Sequence, residues 1–288
     1  MGGAGRGSNG FRRKAPPSPR PWAREWKCGA PPARVLPWLG WAARLGSPPG
    51  QRIAVEATVE SNLILPLPQR AELQRWPAFE VVAGALATHC GVPVDGGLGA
   101  EVVDLYACFP SAVQVQARAL GLPLDAARLT VTGGMTFAGG PLNNAALAST
   151  VAVVERLRHL ATAGGSARGL VTAISGMLTK PGAMMLSSST SPTRFAALDV
   201  TDEATDRSPA LPVDPDLAGE AVIVGATVIT TFEGIRRAVA VVGSTASGGV
   251  RRRSVVTSDR DVVASSIAEL GGAGRVVTLD GMGGFNLS

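Results

Sequence analysis

The chain has 288 residues, 45% hydrophobic and 17% charged, which is enough apolar material for a real core and for one large or two modest domains. Residues 1–50 hold nine Lys/Arg and one acid, Glu25, a balance of +8, whereas the rest has 18 basic and 21 acidic residues, a balance of −3. The basic character therefore belongs to the leader, and the body is not marked as a nucleic-acid-binding fold.

The leader carries four of the five tryptophans and nine of the 21 prolines, among them Pro16-Pro17, Pro31-Pro32 and Pro48-Pro49. Proline at this density interrupts helices, and no alternating strand pattern takes their place. An amphipathic transit helix is thus opposed, and the apolar core of roughly 7–15 residues that a secretory signal needs is missing. Residues 1–50 are expected to be a disordered extension, with a basic nucleic-acid-binding arm as the alternative. No apolar run approaches the ~18–20 residues of a membrane span.

From Trp76 the pattern becomes that of an α/β unit. Phe79, Val82, Ala83 and Leu86 recur at helical spacing, and Gly91-Val92-Pro93 ends that helix. Val102–Tyr106 suits a short buried strand, and Pro110 opens a second helix, a position that tolerates proline. Leu129–Thr132 reads as a strand, followed by a long helix from about Pro141 to Leu160. Gly169–Ile174 and Gly182–Leu186 are further strand candidates. Ser187 to about Glu220, rich in serine, proline and acids, reads as a linker. Beyond it Ala221–Phe232, Ala238–Gly243 and Val250–Thr257 are strand-length runs. Asp259 is placed to cap a short helix through Leu270, and Arg275–Leu279 is a last strand. Three strands, a helix and a strand are the order of an OB-like barrel.

Cys28, Cys90 and Cys108 are too scattered for a disulfide framework. With two histidines and no C-x-x-C, no metal site or cofactor is expected, and a reducing cytoplasm is the default compartment. Gly96–Gly99 and Gly271–Gly274 do not follow a strand and open a helix, as a dinucleotide fingerprint requires, and read as turns. Arg251-Arg252-Arg253 reads as an exposed basic strand end. It lacks the interleaved aromatics that stack bases, so a nucleic-acid partner is not favoured.

Two segments carry chemistry. Asp104-Leu105-Tyr106-Ala107-Cys108-Phe109-Pro110 resembles the His-Asp-Cys-Phe loop of the sterol-carrier-type thiolases, with Tyr106-Ala107 in place of His-Asp. Gly133–Asn144 resembles their Gly-His-Pro loop, with Gly140 at the histidine position. These segments and Gly169–Lys180 are similar to thiolase-like proteins of type 1, an acetyl-CoA acetyltransferase-like group with an additional C-terminal OB-like domain. With the disordered extension (1–50) set apart by its composition, the resemblance implies an α/β C-terminal half-domain of the thiolase fold (51–187) and, beyond the linker (188–220), a small β-rich OB-like domain (221–288).

By that resemblance the chain is an acyl-CoA acyltransferase-like protein with a CoA thioester as substrate. It would be truncated and impaired alone, because the half-domain that bears the nucleophilic cysteine is not seen and a thiolase half or another protein would have to partner it. Thiolase chemistry needs an activated thiolate, a proton-moving group and oxyanion donors. Cys108 is the acid/base candidate, a buried small hydrophobe being its alternative reading. Tyr106, Gly139, Gly140, Asn143, Ser175 and Gly176 are candidate substrate-binding residues, against turn or helix-start readings for the glycines and Asn143. A different class of function also stays open, a non-catalytic binding protein whose OB-like domain takes a protein or nucleic-acid partner.

Overall fold

A computed structural model describes residues 52–140, 144–189, 194–230, 232–234, 236–245, 249–257, 273–280 and 284–287. The expected disordered extension, Asn143 and the helix expected over 259–270 lie outside these residues. The first sheet starts with β1 (Ala54–Glu60), a strand the sequence pattern did not reveal. A Pro-started helix, α1 (Pro77–Cys90), follows. Gly91, at φ 64°, ends it, and the Gly91 and Val92 amides turn back to the Thr88 and Ala87 carbonyls. Only glycine adopts that left-handed backbone freely, so the chain stops there rather than fraying.

Next come β2 (Val102–Asp104) and α2 (Pro110–Ala119). Two single-turn helices, α3 (Ala126–Leu129) and α4 (Met135–Ala138), lead to α5 (Ala145–Thr162). The strands β3 (Arg168–Ser175) and β4 (Lys180–Ser187) form a hairpin. Then β5 (Ala196–Asp199) and α6 (Thr201–Asp206) occupy the stretch expected to be linker.

The order in the sheet is β2-β3-β4-β1-β5. The pairs β2–β3 and β1–β5 are parallel, while β3–β4 and β4–β1 are antiparallel. Side chains alternate across it. Val103, Leu170 and Met185 join Phe79, Val82 and Leu86 of α1 on one face. On the other face Val102, Val171 and Leu186 meet Val153 and Leu157 of α5. The result is an α/β/α sandwich in which α1 and α5 cover opposite faces. Gly169 permits the close approach of α5, since a Cβ there would stand 2.4 Å from Val153 Cγ1 and 3.0 Å from Leu157 Cδ1.

Three expectations are corrected. Leu129–Thr132 is not a strand. It closes α3 and turns, because the Asp104 carboxylate takes the Val131 and Thr132 amides that a ladder would have used. The helix expected from Pro141 is described from Ala145. The linker is not free chain, since β5 pairs in parallel with Ala57–Glu60 and α6 packs on α1.

The second sheet comprises β6 (Gly219–Thr230), β7 (Arg236–Ser244), β8 (Arg252–Thr257), β9 (Val276–Leu279) and β10 (Phe285–Leu287), all antiparallel in the order β10-β9-β6-β7-β8. Its one buried face gathers Ile223, Val242, Val255, Val277 and Phe285. The edge strands β8 and β10 lie close together, but no ladder closes between them among the described residues. The described sheet is therefore an open half-barrel, not the closed OB-like barrel.

The basic run is corrected too. Arg252 and Arg253 are only 5% and 9% exposed. Arg252 donates to the Arg70 and Ala71 carbonyls, and Arg253 to that of Leu217 at 2.7 Å. Backbone acceptors at the junction of the two sheets hold these cations, so the strand end is not a free basic patch.

Candidate functional site

Asp104 ends β2 and is 1% exposed. Its Oδ2 accepts from the Val131 amide at 2.9 Å, the Thr132 amide at 2.8 Å and the Thr130 hydroxyl at 3.2 Å, and its Oδ1 from the Ser149 hydroxyl at 2.9 Å. Thr130 and Thr132 pass the order on, accepting from the Gly133 and Gly134 amides at 2.9 and 3.2 Å. One carboxylate thus ties the first motif loop to the start of the second and to α5. Ionised carboxylates accept such bonds more strongly than neutral groups do.

The next residue of interest, Tyr106, is fixed by its backbone. Its amide donates to Thr172 Oγ1 at 2.8 Å, and its carbonyl accepts from Gln116 Nε2 at 3.0 Å. Thr172 donates to Gln116 Oε1 at 2.6 Å, closing a buried ring between α2 and β3. The two motif loops touch where Ala107 meets Gly134. A Cβ on Gly134 would lie 2.9 Å from that of Ala107, and its φ of 75° is one that other residues avoid.

Between the loops is a chamber of about 10 Å³, lined by Tyr106, Ala107, Gly134, Met135 and Gly139 among others, roughly the space of one water. Tyr106 and Ala145 also line a larger cleft of about 360 Å³. Its other polar side chains come from Glu60, Ser61, Asn62, Ser175 and Lys180. Burial, and to a smaller extent the neighbouring Cys108, pushes the Tyr106 phenol up from its ordinary value. It is a neutral hydrogen-bond donor at pH 7, not a base.

Of the residues expected from sequence, Tyr106, Gly139 and Ser175 line these spaces. Cys108 does not line them; it is half-buried and packs against the main core. Gly140 is exposed, and a Cβ there would meet the flexible end of Met135 at 3.0 Å. Gly176, at φ 65°, belongs to the β3–β4 turn. Asn144 precedes α5 without a side-chain cap.

Sequence reasoning passed over Asp104, Gln116 and Ser149 as organisers, and Glu60, Asn62 and Lys180 as cleft residues. Asp104 stood inside the quoted motif, but an acid next to two apolar residues carries no sign of which amides it will collect. Among the described residues no group of three His, Cys, Asp or Glu is placed to hold a metal, and none of the described helices is long and apolar enough to cross a membrane.

No family model matches the chain, and no curated protein matches it. Among solved structures it resembles the crystal structure of a monomeric SCP2-thiolase like protein type 1 from Mycobacterium smegmatis, with a TM-score of 0.70 at 21% identity. The likeness covers 86% of this chain and 53% of that one, so the chain spans about half the length of the structure it matches. The three-layer core, the second sheet and the two loops joined at Asp104 are set in a thiolase-like fold.

Proposed function

We propose that this chain is an acyl-CoA-binding, acetyl-CoA acetyltransferase-like protein that does not complete acyl transfer by itself. One observation carries the reading. The two loops that resemble thiolase active-site loops meet around Tyr106, which lines both the space between them and a 360 Å³ cleft, a volume within the range of small-molecule sites. Tyr106 and Ser175 offer hydroxyl donors to a thioester or its pantetheine amides, while Lys180 offers charge to a phosphate.

Catalytic impairment follows from the same residues. Gly140 replaces the histidine with backbone alone, and Tyr106-Ala107 replaces His-Asp. Removing one member of a coupled catalytic set commonly costs several orders of magnitude in rate. Calorimetric titration of the purified chain with acetyl-CoA should show saturable binding, whereas acetoacetyl-CoA and free CoA should give no turnover. Robust turnover, or no binding of any CoA thioester, would sink the proposal. Tyr106→Phe should weaken binding about 3–10-fold if the phenol donates to the thioester. Where a second polypeptide supplies the complementary half of a thiolase, Cys108→Ala tests the acid/base role: loss of transfer supports it, and unchanged transfer leaves Cys108 the packing role it has against the main core.

The open sheet of β6–β10 is the counterpart of the OB-like domain. Burial of Arg252 and Arg253 withdraws two of the three cations of the basic run, and the third, Arg251, pairs with Asp214 at 2.7 Å, so no specific observation favours the alternative binding function.

A further inference from the structure

A third cavity, of about 280 Å³, shares no lining residue with the other two. Its apolar walls are Leu63, Leu65, Trp76, Pro77, Ala78 and Leu178. Trp76 is held firmly, since it is 4% exposed and stacks on Phe79 with ring centroids 5.4 Å apart. Against these walls stand Arg70, Arg207 and Ser208.

Arg70 is the informative member. It is 9% exposed, donates Nε to the Leu65 carbonyl at 3.0 Å and Nη2 to the Met177 carbonyl, and forms no ion pair among the described residues. Just behind it Arg252 is buried, likewise without a carboxylate. Burial lowers both guanidinium values from the ordinary one, with no opposing acid to raise them. The acid in the lining, Glu72, is half-exposed and 3.7 Å from Arg75. Ser208 Oγ is shielded from water and has no hydrogen-bond partner. A buried cation without a counter-ion is costly, and an anion entering here would form charge-assisted bonds to it.

We infer that this cleft binds a small apolar monocarboxylate, its hydrocarbon against Leu63, Leu65, Trp76 and Leu178, its carboxylate facing Arg70 and Ser208, with Arg207 at the rim. The cavity lies just below the range of about 300–1,000 Å³ usual for ligand pockets, so a chain of modest length fits better than a long lipid. This site is independent of the acyl-CoA reading, because none of its residues borders the Tyr106 cleft.

The test is calorimetric titration of the full chain with octanoate, with octanamide as the uncharged analogue. Octanoate should bind saturably, and octanamide about 10-fold or more weakly, since the amide keeps one acceptor oxygen but loses the negative charge and the second acceptor. Arg207→Gln/Ser208→Ala, both at the cavity edge, should weaken octanoate at least about 3-fold, and Leu63→Trp, which fills the apolar end, should abolish it. Saturating acetyl-CoA should leave the octanoate isotherm unchanged. Absence of octanoate binding, equal affinity for octanamide, insensitivity to these substitutions, or competition by acetyl-CoA would each overturn the assignment. The octanoate and acetyl-CoA titrations are separate, so failure of one proposal is distinguishable from failure of the other.

Discussion

Asp104 shows how much depends on a single buried side chain. Its Oδ2 satisfies three donors and its Oδ1 a fourth. In Asp104→Asn the amide oxygen can replace Oδ2, and the Ser149 hydroxyl can reverse to accept from the new amide, so only charge assistance is lost. We predict a loss of about 1 kcal/mol for Asp104→Asn and about 3 kcal/mol for Asp104→Ala, which strands buried amides. Urea unfolding measures both, and equal losses would contradict the geometry. Cys90 gives a second prediction. Burial first, then the Glu56 carboxylate, raises its thiol to about 11 from an ordinary value of 9.0, against a lowering effect of Arg168. A raised acid means the unfolded chain releases its proton first. The contribution of Cys90 to stability is therefore complete below pH 9 and is lost as pH rises from 9 to about 11. Iodoacetamide at pH 8 should label Cys90 far more slowly in the native than in the urea-unfolded chain, and equal rates would refute its protected state.

At the scale of elements, α5 positions both Ser149 and the Ala145 edge of the large cleft, and its seat on the sheet depends on Gly169. A Cβ at Gly169 would overlap Val153, so Gly169→Val should push α5 outward and cost about 1–3 kcal/mol, the usual range for overpacking a filled core. Urea unfolding would read the loss, and a neutral result would mean that the helix is free to shift. The same elements show what the sequence made legible. The helices α1, α2 and α5 could be read from apolar spacing and proline starts, and β3, β4, β6, β7 and β8 from apolar runs, because in each the local pattern and the packing agree. Leu129–Thr132 misled because its β-branched residues suit a strand, while a carboxylate distant in sequence captures its amides. The pair β5 and α6 was hidden in a stretch rich in proline and acid because their order comes from pairing with β1 and packing on α1, neither of which leaves a local trace. Tyr106, Gly139 and Ser175, singled out by motif resemblance, line the two spaces beside the loops. Cys108 stands half-buried against the main core, and a motif cysteine reads alike whether it faces a cleft or the core.

For the whole molecule, the junction between the sheets is built mainly of backbone contacts and buried arginine. The Leu211 amide donates to the Gln69 carbonyl at 2.8 Å, that of Arg252 to Pro212 at 3.0 Å and that of Asp214 to Arg252 at 2.9 Å. Arg252→Ala removes two side-chain donors from this seam and should cost about 2–3 kcal/mol, with protease cleavage rising within residues 207–218. Unchanged cleavage there would show that the seam holds without the guanidinium. The placement of β1 has a further consequence, for the order in which the chain is made. This strand leaves the ribosome well before both of its neighbours, β4 and β5, which are synthesised well over a hundred residues later by their positions at Lys180–Ser187 and Ala196–Asp199. Until then β1 has two unpaired edges and an apolar face, the condition that makes nascent sheets slow to fold and prone to aggregate. Chains arrested before residue 180 should therefore depend on chaperones for solubility, whereas chains released after residue 206 can complete the first sheet.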